Sequence, residues 1–403
     1  MCIGIVEYGA ELGKMVKMIL RRYTSYSQIE ARAWNELADA EFPVLRHEYL
    51  LALEASGSAC AATGWQPLPL MVEDDNGAPL GAIPLWLKSH SYGELVYDFA
   101  WAQAYERAGL RYYPKLVAAV PFSPIGGPRL LVTSAAPRDA IIDALIEGAR
   151  AVADDTHASS LHWLFTDDRN TADLAARGFL HRTGVQFHWL NQGYRSFDDF
   201  LAGFTAEKRK KIRRERRYVQ DAGVAMEMLS GADVTPSLWD RFYDFYTGNI
   251  ERHGGMVHLT REFFHRLGST LPQAVALTVA RRGNEPVGAA INLRGNHALF
   301  GRYWGGDPAI NSLHFETCYY TPIEYCIRTG LTRFEGGAGG EHKLARGFLP
   351  ATTHSLHWLR HAEFSKAVED FLRRERAGLA HYVDELNEHA PYKTGALALD
   401  AKP

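Results

Sequence analysis

The sequence predicts an α/β (α+β) fold made of two tandem copies of one unit, each a mixed, twisted sheet flanked by helices. Three observations lead there. The 403 residues are enough for two or three folded units at the roughly 150 residues of a typical domain. Residues 177–190 (RGFLHRTGVQFHWL) and 346–359 (RGFLPATTHSLHWL) agree at eight of 14 positions in a gapless match offset by 169, the mark of an internal repeat. Residues 68–87 likewise resemble 276–293 at an offset of 207, with Gly77 or Gly283 in a turn, Pro79 or Pro286 after it, and Gly81 or Gly288 opening a return strand; both read as β-hairpins.

Composition bounds the class. Apolar residues make up 46% of the chain and charged ones 23%, which excludes a disordered, collagenous or disulfide-scaffold protein. The formal charge is −3, so no global field draws the chain onto DNA or an anionic membrane, and any polyanion site is local. The four cysteines (Cys2, Cys60, Cys318, Cys326) lack CxxC spacing, so no metal site is expected and a reducing, cytoplasmic setting fits. No run approaches the ~20 apolar residues that cross a bilayer.

Taken in order, residues 1–28 carry a short apolar stretch broken by Glu7, Glu11, Lys14 and Lys17 and read as a ragged N-terminal extension. The first unit is expected over 29–192: helices, the hairpin at 68–87, a helix at 139–153, a strand ending at Phe165 and the terminal strands at 177–190. The two repeat offsets differ by 38, which implies an insertion of that length in the first copy, assigned to about 88–125. The second unit, 193–390, opens with EKRKKIRRERR (207–217), where eight of the ten residues from Lys208 to Arg217 are basic. A helix over 205–220, ended by Gly223, leaves only Ile212 and Val219 as an apolar stripe. The hairpin at 276–293, strands at 297–306 and 331–337, a helix at 314–329 and the terminal strands follow, and 391–403 reads as a tail.

Helices, hairpin, further strand, crossover helix, strand and terminal strands in that order match the layout of the GNAT acyltransferase fold. The segments 34–54, 87–116, PFSPIGGPRLL (121–131) and HFETCYYTPIEYCIRTGLTRFEGGAGGEHKLARGFLP (314–350) resemble the FemAB-like peptidoglycan biosynthesis/recognition family over roughly 29–390. That resemblance implies a tandem GNAT-like fold and N-acyltransferase activity. Its Fem namesakes use aminoacyl-tRNA to extend peptidoglycan bridge peptides.

In a GNAT-like unit the fourth and fifth strands splay and the acyl donor lies in the gap. In the second copy this places Arg302, Tyr303 and Trp304 beside Glu335, Gly336 and Gly337. The next loop, GGAGGEHK (336–343) against DDRNTADL (167–174) in the first copy, lets backbone approach a ligand closely. It also aligns a carboxylate, an imidazole and an ammonium, so Glu341 or His342 is the expected general base, Lys343 or Arg346 the anion partner, and Tyr303 the proton donor to the leaving group. His314 and Glu316 are expected to flank the cleft or, on the blander reading, to cap the helix. In the insertion, Lys88, His90, Ser91, Tyr92, Glu94, Asp98 and Trp101 are expected to line an acceptor site, unless the aromatics simply pack on the sheet. Lys208, Arg209, Lys210 and Lys211, at a helix N-terminus, form an expected anion site for tRNA or a phosphorylated precursor, the alternative being a solvated basic face.

No cofactor is expected to stay bound; the acyl donor, aminoacyl-tRNA or acyl-CoA, is a co-substrate. Residues 305–316 lack the Q/R-x-x-G-x-G/A loop that holds CoA pyrophosphate in acetyl-CoA-dependent GNAT enzymes, which favours another donor. Two other readings stay open: a non-catalytic module that binds a peptidoglycan precursor or other anionic ligand, and an acyl-CoA-dependent enzyme acting on a small amine.

Overall fold

The computed structural model describes residues 2–9, 15–134 and 137–393. In chain order its strands and helices are β1 (Cys2–Gly9), β2 (Met15–Arg22), α1 (Ala31–Leu37), α2 (His47–Ala55), β3 (Trp65–Pro67), β4 (Leu70–Glu73), β5 (Pro79–Ile83), β6 (Leu85–Lys88), α3 (Phe99–Arg107), β7 (Lys115–Ala118), β8 (Leu131–Val132), α4 (Arg138–Asp155), β9 (Ser160–Thr166), α5 (Asp168–Ala175) and β10 (Leu180–Leu190). There follow α6 (Phe197–Ala202), α7 (Ala206–Asp221), β11 (Val224–Ser230), α8 (Pro236–Arg252), α9 (Arg261–Thr270), β12 (Val275–Arg282), β13 (Glu285–Arg294), β14 (Ala298–Gly306), α10 (Leu313–Phe315), α11 (Thr321–Thr329), β15 (Arg333–Glu335), β16 (Leu349–Leu359) and α12 (Ala362–Glu388).

The chain divides into two compact units, Met1–Gly184 with Thr353–Leu379, and Val185–Thr352 with Ala380–Pro403. Two of the three dividing points fall inside the repeated terminal strands, β10 and β16, and the third falls inside α12. The end of β10 belongs to unit 2, where His188–Leu190 pair antiparallel with β15. The end of β16 belongs to unit 1, where His354–Leu359 pair antiparallel with β9. Each copy thus lends its last strand to the other, which a linear boundary at 192/193 does not capture.

In unit 1, β1-β2-β4-β5-β8 form one sheet and β3-β6-β7-β9 run in another. Residues 79–88 serve both: β5 pairs with β4 while β6 pairs with β3 and β7. The break falls at Pro84, which has no N–H to give to a ladder. α4 packs Ile141, Ile142, Leu145 and Ala149 on the core of Leu70, Val72, Leu116, Leu161 and Trp163. The expected ragged extension instead contributes a strand, since Ile19–Arg22 pair with Leu70–Glu73 and bury Met18 and Leu20. The stretch 88–125, expected to lack a counterpart, contains β7, which occupies the place that β14 holds in unit 2. Four residues of apolar strand are too short to register as a repeat, so what is additional is the loop and α3 before β7 and the segment after it.

In unit 2 the order is β11-β12-β13-β14-β15-β10. The expected hairpin is β12-turn-β13, with Gly283 at φ +59 in the turn. The expected basic helix is α7, and Ile212 and Val219 are each 1% exposed, so its thin apolar stripe does seat it. α8 lies so close to β14 that a Cβ on Gly305 would sit 1.9 Å from the Phe245 carbonyl oxygen. Among the described residues no helix is long and apolar enough to cross a membrane. The 391–403 tail is described only to Lys393; the rest of it lies outside the described residues.

Candidate functional site

In unit 2, β14 and β15 pair in parallel over three residues only, Ala298–Phe300 with Arg333–Glu335. Two local features part them. β15 ends because Gly337 stands at φ +81, a left-handed conformation that turns the chain out of the strand. β14 bends because its ladder with β13 shifts register at Ile291/Asn292, leaving Arg302 as the extra residue of a bulge. Between them opens a cleft of about 230 Å³. Its walls include Arg302, Tyr303, Trp304, His314, Gly336, Gly337, His342 and Lys343, all eight expected from the sequence.

The far wall is a helix with a π turn in it. α10 runs into Glu316–Tyr320, which make π-type bonds, and then into α11; such turns re-aim side chains and recur at functional sites. Here Cys318 and Tyr319 line the cleft. The Tyr319 hydroxyl lies 2.9 Å from His342 Nε2, and the His314 ring stacks on Trp304 at 4.4 Å and stands 5.7 Å from the His342 ring. Burial first, then the Arg346 and Lys343 charges, holds His342 below its ordinary 6.5. Burial and the His342, Arg346 and Lys343 charges push His314 down to about 3. Both imidazoles are therefore neutral near pH 7 and carry a lone pair. Burial pushes the Cys318 thiol well up despite Lys343, so it stays protonated.

Lys343 anchors the loop rather than presenting its charge to solvent. It is 2% exposed, and its ammonium donates to the carbonyls of Gly337 at 2.8 Å, Ala338 at 3.3 Å, and Gly339. Three carbonyls gathered on one cation fix the backbone of 336–340, where Gly337, Gly339 and Gly340 all have positive φ. Apart from the Ala338 methyl, this stretch carries no side chain, so its backbone can approach a ligand closely. Burial pulls the Lys343 ammonium down to about 8.

Other expected residues lie elsewhere. Glu341 is exposed and its carboxylate accepts from the Tyr382 hydroxyl at 2.6 Å; it does not line the cleft. Arg346 is buried in an ion pair with Glu215 at 2.9 Å, its guanidinium over the Phe315 ring. Glu316 turns to the opposite side of the π turn and pairs with Arg216 at 3.0 Å. Glu335 pairs with Arg333 at 3.1 Å. On α7, Arg209 donates to the Phe204 carbonyl and Lys208 is half-buried, whereas Lys210 and Lys211 are exposed. Sequence reasoning did not single out Tyr319 or Cys318, which stand in helical sequence and line the cleft from the π turn. It also missed Glu215, a carboxylate hidden in the basic run.

The seven residues picked out in the insertion of unit 1 separate into an inner and an outer group. Lys88, Ser91, Glu94 and Asp98 are buried around a lysine not singled out, Lys115, itself 0% exposed. Its ammonium donates to Ser91 Oγ at 2.8 Å, Glu94 Oε2 at 2.7 Å and Asp98 Oδ2. Tyr112 donates to the same Asp98 oxygen and lies 3.3 Å from His162 Nε2; Trp101 packs on His357 at 4.9 Å. Burial outweighs Lys115 and raises Glu94 to about 7, whereas at Asp98 burial is overcome by the Lys115 and His162 charges together with hydrogen bonds from Lys115 and Ser91, which hold the carboxyl low. Burial brings Lys88, over the Trp65 ring at 3.7 Å, down to about 7. His90 and Tyr92 lie outside, Tyr92 being 54% exposed.

The corresponding gap of unit 1 is filled. β7 and β9 also pair in parallel over three residues, but the chain then returns: the Gly127 N–H donates to the Phe165 carbonyl at 3.0 Å, and Val117, Ala119, Leu164 and Phe165 close into an apolar cluster. Arg129, buried, pins that segment through the carbonyls of Ile125, Gly127 and Pro128. Among the described residues no group of His, Cys, Asp and Glu side chains is arranged to hold a metal ion.

Two copies of a sheet with a central parallel pair, open as a cleft in unit 2 and filled in unit 1, define a tandem GNAT-like protein. The chain belongs to the FemAB-like family, described as peptidoglycan biosynthesis/recognition, whose model matches residues 25–394. Its fold is similar to that of the crystal structure of FemX, at 12% identity and a TM-score of 0.54, covering 87% of this chain and 100% of that one. It is also similar to the C-terminal domain of a putative lysylphosphatidylglycerol synthetase from Agrobacterium fabrum, at 10% identity and a TM-score of 0.50, covering 86% and 96%. No curated protein matches the sequence.

Proposed function

We propose that this protein is an N-acyltransferase that joins an activated acyl or aminoacyl group to an amine in the cleft of unit 2. The observation that carries this reading is the meeting, where β14 and β15 part, of a bare glycine backbone with the neutral imidazole of His342. Membership of the FemAB-like family and the likeness of fold to FemX support the same class of reaction. The filled gap in unit 1 favours unit 2 as the seat of the chemistry.

In the reaction, the amine nitrogen attacks the carbonyl carbon of an ester or thioester, the C–N bond forms, and the C–O or C–S bond breaks. With its Nε2–H donated to the Tyr319 oxygen, His342 holds the Nδ1 lone pair that takes the proton from the attacking nitrogen. The backbone of Gly336 and Gly337 is the expected donor to the oxyanion of the tetrahedral intermediate. Arg302 donates to the Tyr303 hydroxyl at 2.9 Å, and Tyr303 is the expected proton donor to the leaving oxygen or sulfur. Direct transfer needs no covalent enzyme intermediate, in keeping with a Cys318 that stays protonated. Cell-wall peptide metabolism is the setting the family suggests.

A thermal-shift panel tests the reading. A rise in Tm with a non-hydrolysable aminoacyl-tRNA or acyl-CoA analogue, kept in His342→Ala while transfer from the true donor is lost, supports it. A rise with a muropeptide or nucleotide-sugar alone, with no donor binding, contradicts it and favours a recognition module.

A further inference from the structure

Unit 2 has a second cavity, of about 440 Å³, bounded by β11, α7 and α11. Five consecutive residues of β11, Val224 through Met228, all line it. Successive strand side chains point to opposite faces, so a cavity touching all five runs along the edge of the strand and not over one face. β11 is the edge strand of its sheet, paired to β12 from Val224 to Ser230 on one side only. Among the described residues, no backbone N–H or C=O of Ala225–Leu229 bonds to anything except β12. Such an edge is a template for another strand, and main-chain bonding to it is a recurrent mode of peptide recognition.

We propose that β11 is a docking edge for an extended peptide segment, which adds one strand beside it within the groove. The walls select a single strand: a second copy of this chain would bring its own α7 and α11 against those already there. Met226 and Met228, with Val219 beside them, offer an adaptable apolar floor to alternate side chains of the peptide. At one end Arg328 is exposed above the Tyr325 ring at 5.7 Å and has no ion-pair partner among the described residues, so it suits a carboxylate on the peptide. Glu316, on the groove side of the π turn, places the docked peptide against the wall that the groove shares with the cleft. The proposal is independent of whether that cleft transfers an acyl group.

The test uses the full chain and a fluorescein-labelled heptapeptide mixture with Val, Ile, Leu or Met at alternate positions and Glu at the C-terminal end. The expected result is a saturable rise in anisotropy, weakened at least about tenfold when alternate backbone nitrogens are methylated, since that removes two or more main-chain bonds. Arg328→Ala, with an unchanged melting temperature, is expected to weaken binding about fivefold, and the amides of Ala225–Leu229 should exchange with deuterium more slowly when the mixture is bound. No binding, equal binding of the methylated mixture, or an edge already protected because the protein sediments as a dimer would each overturn it.

Discussion

The Tyr319 hydroxyl and the His342 Nε2 lie 2.9 Å apart, joining the π turn of the crossover helix to the glycine loop across the cleft. The pair holds the ring orientation on which a base role for His342 depends, and the tautomer with Nε2–H leaves Nδ1 to accept the proton. Tyr319→Phe should lower kcat about tenfold with KM little changed, and His342→Ala should lower it by ~10²–10⁴. Steady-state kinetics of the two variants read this directly. Glu341→Gln, outside the cleft, should stay within about twofold of the parent.

The pH profile follows from two groups. His342 must be neutral to accept a proton, and its pKa lies below the ordinary 6.5, so the acid limb of kcat/KM should fall below that value. Lys343 must be charged to hold three carbonyls, and it loses its proton near pH 8, so the alkaline limb should fall near 8. A plot flat from pH 7 to 10 would deny Lys343 its role as the loop's anchor.

Lys343→Met leaves three carbonyls without their cation. We expect a loss of about 2–4 kcal/mol in urea unfolding, from the lost charge-assisted bonds and the unsatisfied acceptors. Activity should drop further than stability accounts for, because the Gly336–Gly340 backbone is no longer fixed.

In unit 1 the buried cluster around Lys115 predicts a large and separable stability effect. Lys115→Met strands Glu94 and Asp98 and should cost about 3–5 kcal/mol in urea unfolding, whereas Lys115→Met with Asp98→Asn should recover part of it. Glu94 adds a pH dependence of known sign. Its folded pKa, about 7, is above the ordinary 4.5, so between those values the folded state binds the proton more tightly and stability falls as pH rises. Glu94→Gln should flatten that slope.

The exposed face of α7 carries Lys210, Lys211, Arg214 and Arg217 beside Tyr218, which is 40% exposed. If it meets a polyanion, binding of a tRNA mixture should weaken linearly in log salt, and each Lys→Ala should reduce the slope by about 0.7–0.9. Salt-independent binding would assign the face to solvent.

Much of the fold was legible because the chain states it twice. The match of 177–190 with 346–359 marked β10 and β16, and the glycine–proline turn chemistry marked β12 and β13. The exchange of these terminal strands was not legible, since pairing partners leave no local pattern. Within the cleft, strand order and the glycine run pointed to Arg302, Trp304, Gly336 and His342. Glu341 and Arg346 stand in the same motif, but a 3₁₀ turn over Glu341–Arg346 sends neighbouring side chains to different surroundings. Lys115 went unnoticed because a charge at the head of an apolar strand looks like its solvent end.

The central claim is that the unit 2 cleft acylates an amine through His342. The most direct measurement is mass spectrometry of a peptidoglycan-precursor extract incubated with charged tRNA or acyl-CoA and either the parent protein or His342→Ala. The account predicts a new acylated amine with the parent and at least about a hundredfold less with the variant. Equal yields from the two proteins would contradict it.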